Sequence, residues 1–333
     1  MKRIMVTGGA GFIGSAFVRH QLDNYPETHV VVYDKLTYSG NLDNLKGLDT
    51  ARHTFIQGDI ADPEAVAAAL AGCDALVNFA AESHVDRSLM GAMDFITTNV
   101  TGVNVLLEQA RRAAVQRVLL VSTDEVYGSI DEGSFTEADP VHPRNPYAAS
   151  KAGGELFGVA HFETHGLPVI ITRGSNTYGP RQYPEKVLPL FVTNAIDGEP
   201  LPLYGDGRNV RDWLHVGDHC SGIDCALRHG EPGQCYNVPG GNERMNIELT
   251  TRILELLGRG PELIRPVADR VGHDRRYSID GAKLRALGWR PAMSWDEGVE
   301  DTVRWYRDNE WWWRKIKSGE FRAYYERQYG NLK

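Results

Sequence analysis

The stretch Ser122-Thr123-Asp124-Glu125-Val126-Tyr127-Gly128 follows the apolar run Val118-Leu119-Leu120-Val121, so two adjacent carboxylates stand where a buried strand gives way to a loop. Strand ends of this kind are where α/β sheets put their chemistry. Asp124 and Glu125 can give a proton to one atom and take one from its neighbour, provided their surroundings split their pKa values. Taken alone, the pair suits a capped turn or bound water better. A second pair lies downstream in Tyr147-Ala148-Ala149-Ser150-Lys151. Asn145-Pro146 starts a helix there, and the i, i+4 spacing sets Tyr147 and Lys151 on one face. Y-x-x-x-K is a loose pattern by itself and gains meaning only beside a dinucleotide. There, the lysine charge and a positive nicotinamide ring would lower the phenol from about 10 and make it a base near neutral pH.

The elements that would supply the dinucleotide occur in the right order. Arg3 to Thr7 is a β-rich run that flows into Gly8-Gly9-Ala10-Gly11-Phe12-Ile13-Gly14 and then a helical pattern through Ala16, Phe17 and Leu22. Gly9, Gly11 and Gly14 satisfy G-x-G-x-x-G, and Gly8, Gly11 and Gly14 an equally spaced variant. Missing side chains let the backbone approach a pyrophosphate at the helix N-terminus, where free N–H groups and the dipole favour negative charge. The run Val30 to Tyr33 ends in Asp34, about 20 residues beyond the last glycine, where an acid binds ribose hydroxyls and repels a 2′-phosphate. NAD is therefore favoured over NADP, with Lys35 weakening the preference slightly.

Phe55 to Ile60 reads as a third strand whose end can meet the adenine. Asp62-Pro63 then opens a helix. Ala75 to Phe79 is a fourth strand, leaving through Ala80-Ala81-Glu82-Ser83-His84, small residues that admit a cofactor followed by groups that can meet a sugar. His84 alone reads as a loop histidine. A helix spans Ala92 to Ala113, residues 129–143 form a surface excursion, and Val169 to Ile171 is another buried strand. The alternation predicts an α/β fold, a Rossmann-like doubly wound parallel sheet with a smaller C-terminal substrate-binding part. The boundary falls at 180, giving 1–180 as the NAD-binding domain and 181–333 as a closely packed second part. Past it the alternation dissolves, with helices starting near Pro184 and Val216. Lys186, Arg208, Arg211, Arg270, Arg275 and Arg276 gather near turns, individually solvated charges that together can clamp a diphosphate. The aromatic end, Trp295 through Trp313 to Tyr325, reads as packing.

The chain has 333 residues, 42% of them hydrophobic, with 36 basic against 44 acidic side chains and a net charge of -8. That balance argues against nucleic acid or an anionic membrane as partner. No run of about 18 apolar residues occurs, and the start lacks a signal-peptide core, so a cytoplasmic protein is expected. Cys73, Cys220, Cys225 and Cys235 have no metal-ligand or C-x-x-C spacing, and neither metal nor disulfide is expected.

With these motifs assembled, the chain resembles the dTDP-glucose 4,6-dehydratases of the extended short-chain dehydrogenase/reductase superfamily. The likeness also covers Asp34-Lys35-Leu36-Thr37-Tyr38, Ala80 through Ser88, Arg211-Asp212-Trp213 and Gly272-His273-Asp274-Arg275-Arg276-Tyr277. It implies that Gly8, Gly11, Phe12, Ile13, Gly14, Asp34, Lys35, Leu36, Thr37, Asp59, Ile60, Phe79, Ala80, Ala81, Ser83, Thr98, Tyr147, Lys151 and Thr177 touch NAD. The sugar-nucleotide site would be lined by Ser83, Thr123, Asn176, Lys186, Val187, Pro202, Leu203, Tyr204, Arg211, Asn246, Asp269, Arg270, Val271, Gly272 and His273, mostly in the second domain. Val271 stands where the family usually has proline, and the loop after Gly128 is short, as in members from secondary-metabolite pathways. The resemblance further implies a homodimer paired through the helices holding Val100 to Ala113 and Tyr147 to Phe162.

By that resemblance Thr123, Asp124, Glu125, Tyr147 and Lys151 carry the reaction: C4 oxidation, loss of water across C5 and C6, and hydride return to C6. Related activities compete. A sugar-nucleotide 4-epimerase shares NAD, Tyr147 and Lys151 but has no use for an acid and base at C5 and C6. A UDP-glucuronate decarboxylase oxidises C4 and then releases carbon dioxide, and an NAD-sensing regulator needs neither pair.

Overall fold

The computed structural model describes residues 1–269, 274–318 and 320–329. Its centre is a seven-stranded, wholly parallel sheet. The first six strands are β1 (Arg3–Thr7), β2 (His29–Asp34), β3 (His53–Gln57), β4 (Ala75–Asn78), β5 (Arg117–Thr123) and β6 (Val169–Gly174). Near-continuous runs such as Val30-Val31-Val32-Tyr33 and Val118-Leu119-Leu120-Val121 are buried from both sides, which a parallel strand covered by helices requires. The order is β3-β2-β1-β4-β5-β6, so the chain reverses direction of travel between β1 and β4. That switch point opens a crevice at the strand C-termini.

Helices cover both faces. On one, α1 (Phe12–Asn24) packs Phe17, Val18 and Leu22 into a core with Ile223, Ala226 and Leu227. On the other, α2 (Pro63–Leu70), capped by Asp62, shares a core with Leu106, Leu107 and Ala110. Each fully buried leucine or isoleucine contributes roughly 1.5–3 kcal/mol. Val85–Met90 is α3. The single helix expected over 92–113 forms as α4 (Met93–Ile96), a π-helical turn (Thr97–Gly102) and α5 (Val103–Arg112). Against that turn lies α6 (Pro146–His165), and a Cβ on Gly154 would stand 2.5 Å from the Asn99 carbonyl, so glycine lets the helices approach.

The chain differs from expectation beyond residue 180, because the alternation resumes. After β7 (Asn176–Tyr178), α7 (Val187–Asp197), β8 (Leu201–Tyr204) and β9 (Val210–His215), α8 (Val216–His229) returns to the first core. It is followed by β10 (Cys235–Val238), which pairs parallel with β6 as the seventh strand. Only four residues long and carrying buried Asn237, this strand has no apolar run to announce it. Residues 216–238 thus lie on the first sheet, and a cut at 180 does not follow it. The remainder comprises β11 (Glu243–Met245), which pairs with β9, α9 (Asn246–Leu257), and β12 (Ile264–Val267), which pairs with β8. Then come α10 (Ala282–Ala286), α11 (Trp295–Asp308), α12 (Glu310–Ile316) and α13 (Glu320–Tyr329). Leu190, Phe191, Ile253, Tyr306, Trp312 and Trp313 form its separate core, so most of the aromatic end does pack. Among the described residues no helix is long and apolar enough to cross a membrane.

Candidate active site

The crevice at the switch point is a cavity of about 520 Å³. Its floor is the glycine loop. Gly8 has φ +62, and a Cβ there would lie 2.6 Å from the Ala80 amide nitrogen. A Cβ on Gly14 would meet the Gly8 carbonyl at 2.2 Å, so only glycine permits this loop to fold back on its helix. No side chain caps α1 and no acid lies in its first turn. The helix therefore presents N–H groups and positive dipole to the cavity, an arrangement that fits a pyrophosphate.

Asp34, at the end of β2, accepts from the Ala10 amide with Oδ2 at 2.9 Å and from the Leu36 amide with Oδ1 at 2.8 Å. These bonds fix the carboxyl at the edge of the cavity, while burial raises its pKa. Lys35 Nζ lies 2.7 Å from Asp59 Oδ2, so that lysine is committed within the protein. Every residue expected to touch the cofactor lines this cavity except Leu36. Leu36 has φ +56 and turns its side chain onto the core beside Phe12.

At the far wall stand the reactive side chains. Thr123 ends β5 and caps a 3₁₀ turn, Asp124–Tyr127, by accepting from the Glu125 amide at 3.3 Å. Its hydroxyl also lies 3.3 Å from Asp124 Oδ1. Asp124 is 3% exposed, and its Oδ2 has no hydrogen-bond partner among the described residues. Burial, then the charges of Glu125 and Asp212, push its pKa well above the carboxylate range. Glu125 is only half-buried and receives the side-chain amide of Asn145 at 3.3 Å. The adjacent carboxyls thus occupy different surroundings, and Asp124 is the one whose charged form burial disfavours.

Asn145 caps α6, taking the Ala148 amide at 2.8 Å, and Pro146 fixes the first turn. The helix brings buried Tyr147 and Lys151 to the same wall, with the Tyr147 phenol beside Thr123. Lys151 Nζ donates to the Val121 carbonyl at 2.7 Å, and burial lowers its pKa to about 8. The depression expected of the Tyr147 pKa belongs to a phenol beside a bound nicotinamide; the protein groups alone act in the opposite sense. Burial first, then the charge of Glu125, push the phenol upward.

A second cavity of about 190 Å³ adjoins the first and shares Glu125, Asn176, Thr177, Gln182, Glu185 and Lys186 with it. Val187, Pro202, Leu203, Tyr204, Arg211 and Asn246 line it, as the substrate residues were expected to do. Ser83 and Thr123 line the first cavity. Asp269 lines neither; it lies over Gly205, 3.0 Å from where a Cβ would be. Arg270, Val271, Gly272 and His273 lie outside the described residues. Arg211 is held with its guanidinium 4.3 Å over the Tyr277 ring and bonded to the Val210 and Asp274 carbonyls. Lys186 Nζ donates to the Ser83 carbonyl at 2.9 Å.

Sequence reading missed the network that joins the two cavities. Buried Glu185 accepts from Arg87 at 3.1 Å and from Tyr38 at 3.1 Å, and the Arg87 guanidinium lies 3.9 Å over the Tyr38 ring. All three sit in stretches already singled out or beside them, but partners about a hundred residues apart leave no periodic signal.

The family profile described as GDP-mannose 4,6 dehydratase matches residues 5–302. A dTDP-glucose 4,6-dehydratase of Streptomyces niveus is 51% identical over 322 residues, 95% of this chain and 96% of its own length. The low-salt glycan biosynthesis protein Agl12 of Haloferax volcanii is 53% identical over 304 residues, 91% of this chain and 98% of its own. Among solved structures, the dTDP-glucose 4,6-dehydratase DesIV from Streptomyces venezuelae, with NAD and TYD bound, superposes with a TM-score of 0.93. It is 55% identical, over 95% of this chain and 100% of that one.

Proposed function

The chain belongs to the dTDP-glucose 4,6-dehydratase family, and from that premise we propose that it converts dTDP-glucose to dTDP-4-keto-6-deoxyglucose and water. The activity class is NAD-dependent 4,6-dehydration of a nucleotide sugar; the dTDP-glucose substrate and the residue roles are our reading. The observation that carries it is the Asp124–Glu125 pair, whose members stand in unlike surroundings beside Tyr147. A 4-epimerase has no use for them.

The C5 proton of an unmodified sugar is hardly acidic, so a C4 ketone must come first. Bound NAD supplies the hydride acceptor at C4 and the donor at C6. Tyr147 removes the C4 hydroxyl proton, and Thr123, in contact with both Tyr147 and Asp124, holds the C4 oxygen. Lys151, braced on Val121, keeps positive charge near the phenol when protonated. Glu125 takes the acidified C5 proton, and protonated Asp124 donates to the departing C6 oxygen. Arg211, Lys186 and the residues around Tyr204 bind the nucleotide diphosphate in the second cavity.

The division of labour follows: residues 1–180, with 216–238 returned to the first sheet, bind the dinucleotide, and the remainder of 181–333 mainly binds the sugar nucleotide. A homodimer is supported by the exposed apolar side chains Leu156, Phe157 and Val159 on α6 and Met93 and Ile96 on α4. Light scattering should give twice the chain mass, and a monomer would overturn that part.

The deciding experiment incubates purified protein with dTDP-, UDP-, CDP- and GDP-glucose and follows the sugar product by NMR. A 4-keto-6-deoxy product, fastest from dTDP-glucose, is expected without net NADH. Only the C4 epimer, or stoichiometric free NADH, would overturn the reading.

A further inference from the structure

Four Lys or Arg side chains line the larger cavity: Lys35, Lys151, Arg181 and Lys186. Three are committed within the chain, Lys35 to Asp59, Lys151 to the Val121 carbonyl and Lys186 to the Ser83 carbonyl. Arg181 is different. Among the described residues its guanidinium has no hydrogen bond or ion pair, only the face of Trp305 at 5.4 Å. Its backbone is left-handed, φ +70, a conformation that costs a non-glycine residue free energy. The chain thus holds a half-buried charge at the cavity wall that meets no anion among the described residues. Burial, then the nearby charge of Arg19, lower the Arg181 pKa to about 10, so it stays charged at neutral pH.

The neighbours say which part of the cavity this is. Arg19 stands on α1, the helix that closes the glycine loop. Trp312, another wall of the cavity, donates to Asn44 at 2.9 Å, and Asn44 donates to the Ala10 carbonyl within that loop at 2.9 Å. Elsewhere the cavity is walled by carboxylates, among them Asp34, Asp59, Glu82, Asp94 and Glu125. A diphosphate entering such a site is drawn to a cation whose donors the protein has not already taken.

We propose that Arg181 is a binding residue for the diphosphate of the dinucleotide, reaching it from the wall formed with the C-terminal aromatic helices. This deepens the NAD reading of the cavity and rests on it. The guanidinium adds to the helix N-terminus a side-chain contact that sequence spacing around the glycines does not reveal.

The test uses the full chain freed of bound nucleotide, titrated calorimetrically with NAD, ADP-ribose and adenosine. Arg181→Asn removes the charge while keeping a residue that tolerates the left-handed backbone. It should weaken NAD and ADP-ribose about 10- to 100-fold and leave adenosine, which has no phosphate, within about 2-fold. Arg181→Lys should recover part of the loss. Equal weakening of all three ligands would make Arg181 a packing residue on Trp305 and overturn the inference, as would unchanged NAD affinity in Arg181→Asn. A wild-type chain that binds neither NAD nor ADP-ribose would instead overturn the cofactor reading itself, and this inference with it.

Discussion

Asn145 holds Glu125: its side-chain amide lies 3.3 Å from Glu125 Oε2, while its own carbonyl oxygen caps α6 through the Ala148 amide at 2.8 Å. One side chain therefore starts the helix that carries Tyr147 and Lys151 and orients the carboxylate across from them. The two duties separate on substitution. Asn145→Asp keeps the cap but sets a like charge beside Glu125, so thermal stability should barely change while the acid limb of the elimination rate moves to higher pH. Asn145→Ala loses the cap as well, at about 1 kcal/mol. Superimposable pH profiles for Asn145→Asp and wild type would show that the contact to Glu125 does nothing.

Tyr147→Phe keeps the buried ring and its packing but removes the hydroxyl that meets Thr123. Cofactor retention should be unaltered, whereas C4 oxidation and every later step should slow roughly 100-fold or more. Stopped-flow absorbance of reduced nicotinamide measures this directly. Undiminished hydride transfer would take the base role away from Tyr147.

Much of this site was legible because each part has a local signature. The glycine loop needs glycines at fixed offsets to let the backbone fold back, and Asp34 must end the next strand. Tyr147 and Lys151 announce themselves by helical spacing after Asn145-Pro146. What spacing does not carry is the three-dimensional electrostatics. Burial and the Glu125 carboxylate raise the phenol within the protein itself, and no pattern in the chain specifies them or the hydrogen bond that aims Lys151 at the Val121 carbonyl. The Tyr38–Arg87–Glu185 network and the return of β10 to the sheet depend on contacts between distant segments, and Asn237 in that strand hides its buried character.

Asp124 gives the protein a pH signature. An unfolded chain loses this proton in the ordinary carboxylate range, whereas burial holds it in the folded chain to higher pH. Between those two values the folded state binds more protons, so the contribution of Asp124 to stability falls as pH rises. Lys151, lowered to about 8, acts in the opposite sense, but only above that pH, where the unfolded chain still binds its proton. Asp212 and His219, both buried and shifted, titrate across the same range, so Asp124 is read from the difference between wild type and Asp124→Asn from about pH 4 to 7. Asp124→Asn should be close to wild type at the acid end and increasingly more stable toward neutrality, measured by urea denaturation. A stability difference independent of pH would mean that Asp124 ionises normally in the folded chain.

Glu125 and Asp124 together distinguish elimination from every other reaction that a Tyr147–Lys151 pair can start. Glu125→Gln preserves the shape and the neighbouring Asn145 while removing the base, so C4 oxidation should survive and C5 deprotonation should slow by roughly 100- to 10,000-fold. The ketone and enzyme-bound NADH should then accumulate. Asp124→Asn should also slow elimination, because nothing protonates the departing C6 oxygen, yet Glu125 remains able to exchange the C5 proton with solvent. The variants thus part on one readout, deuterium uptake at C5 in single-turnover mixtures followed by mass spectrometry. It should be lost in Glu125→Gln and retained in Asp124→Asn. Because the half-buried Glu125 carboxylate and the buried Asp124 carboxyl sit on one short turn, a swap of these outcomes would reverse their roles. Wild-type elimination in either variant would end the two-carboxylate mechanism.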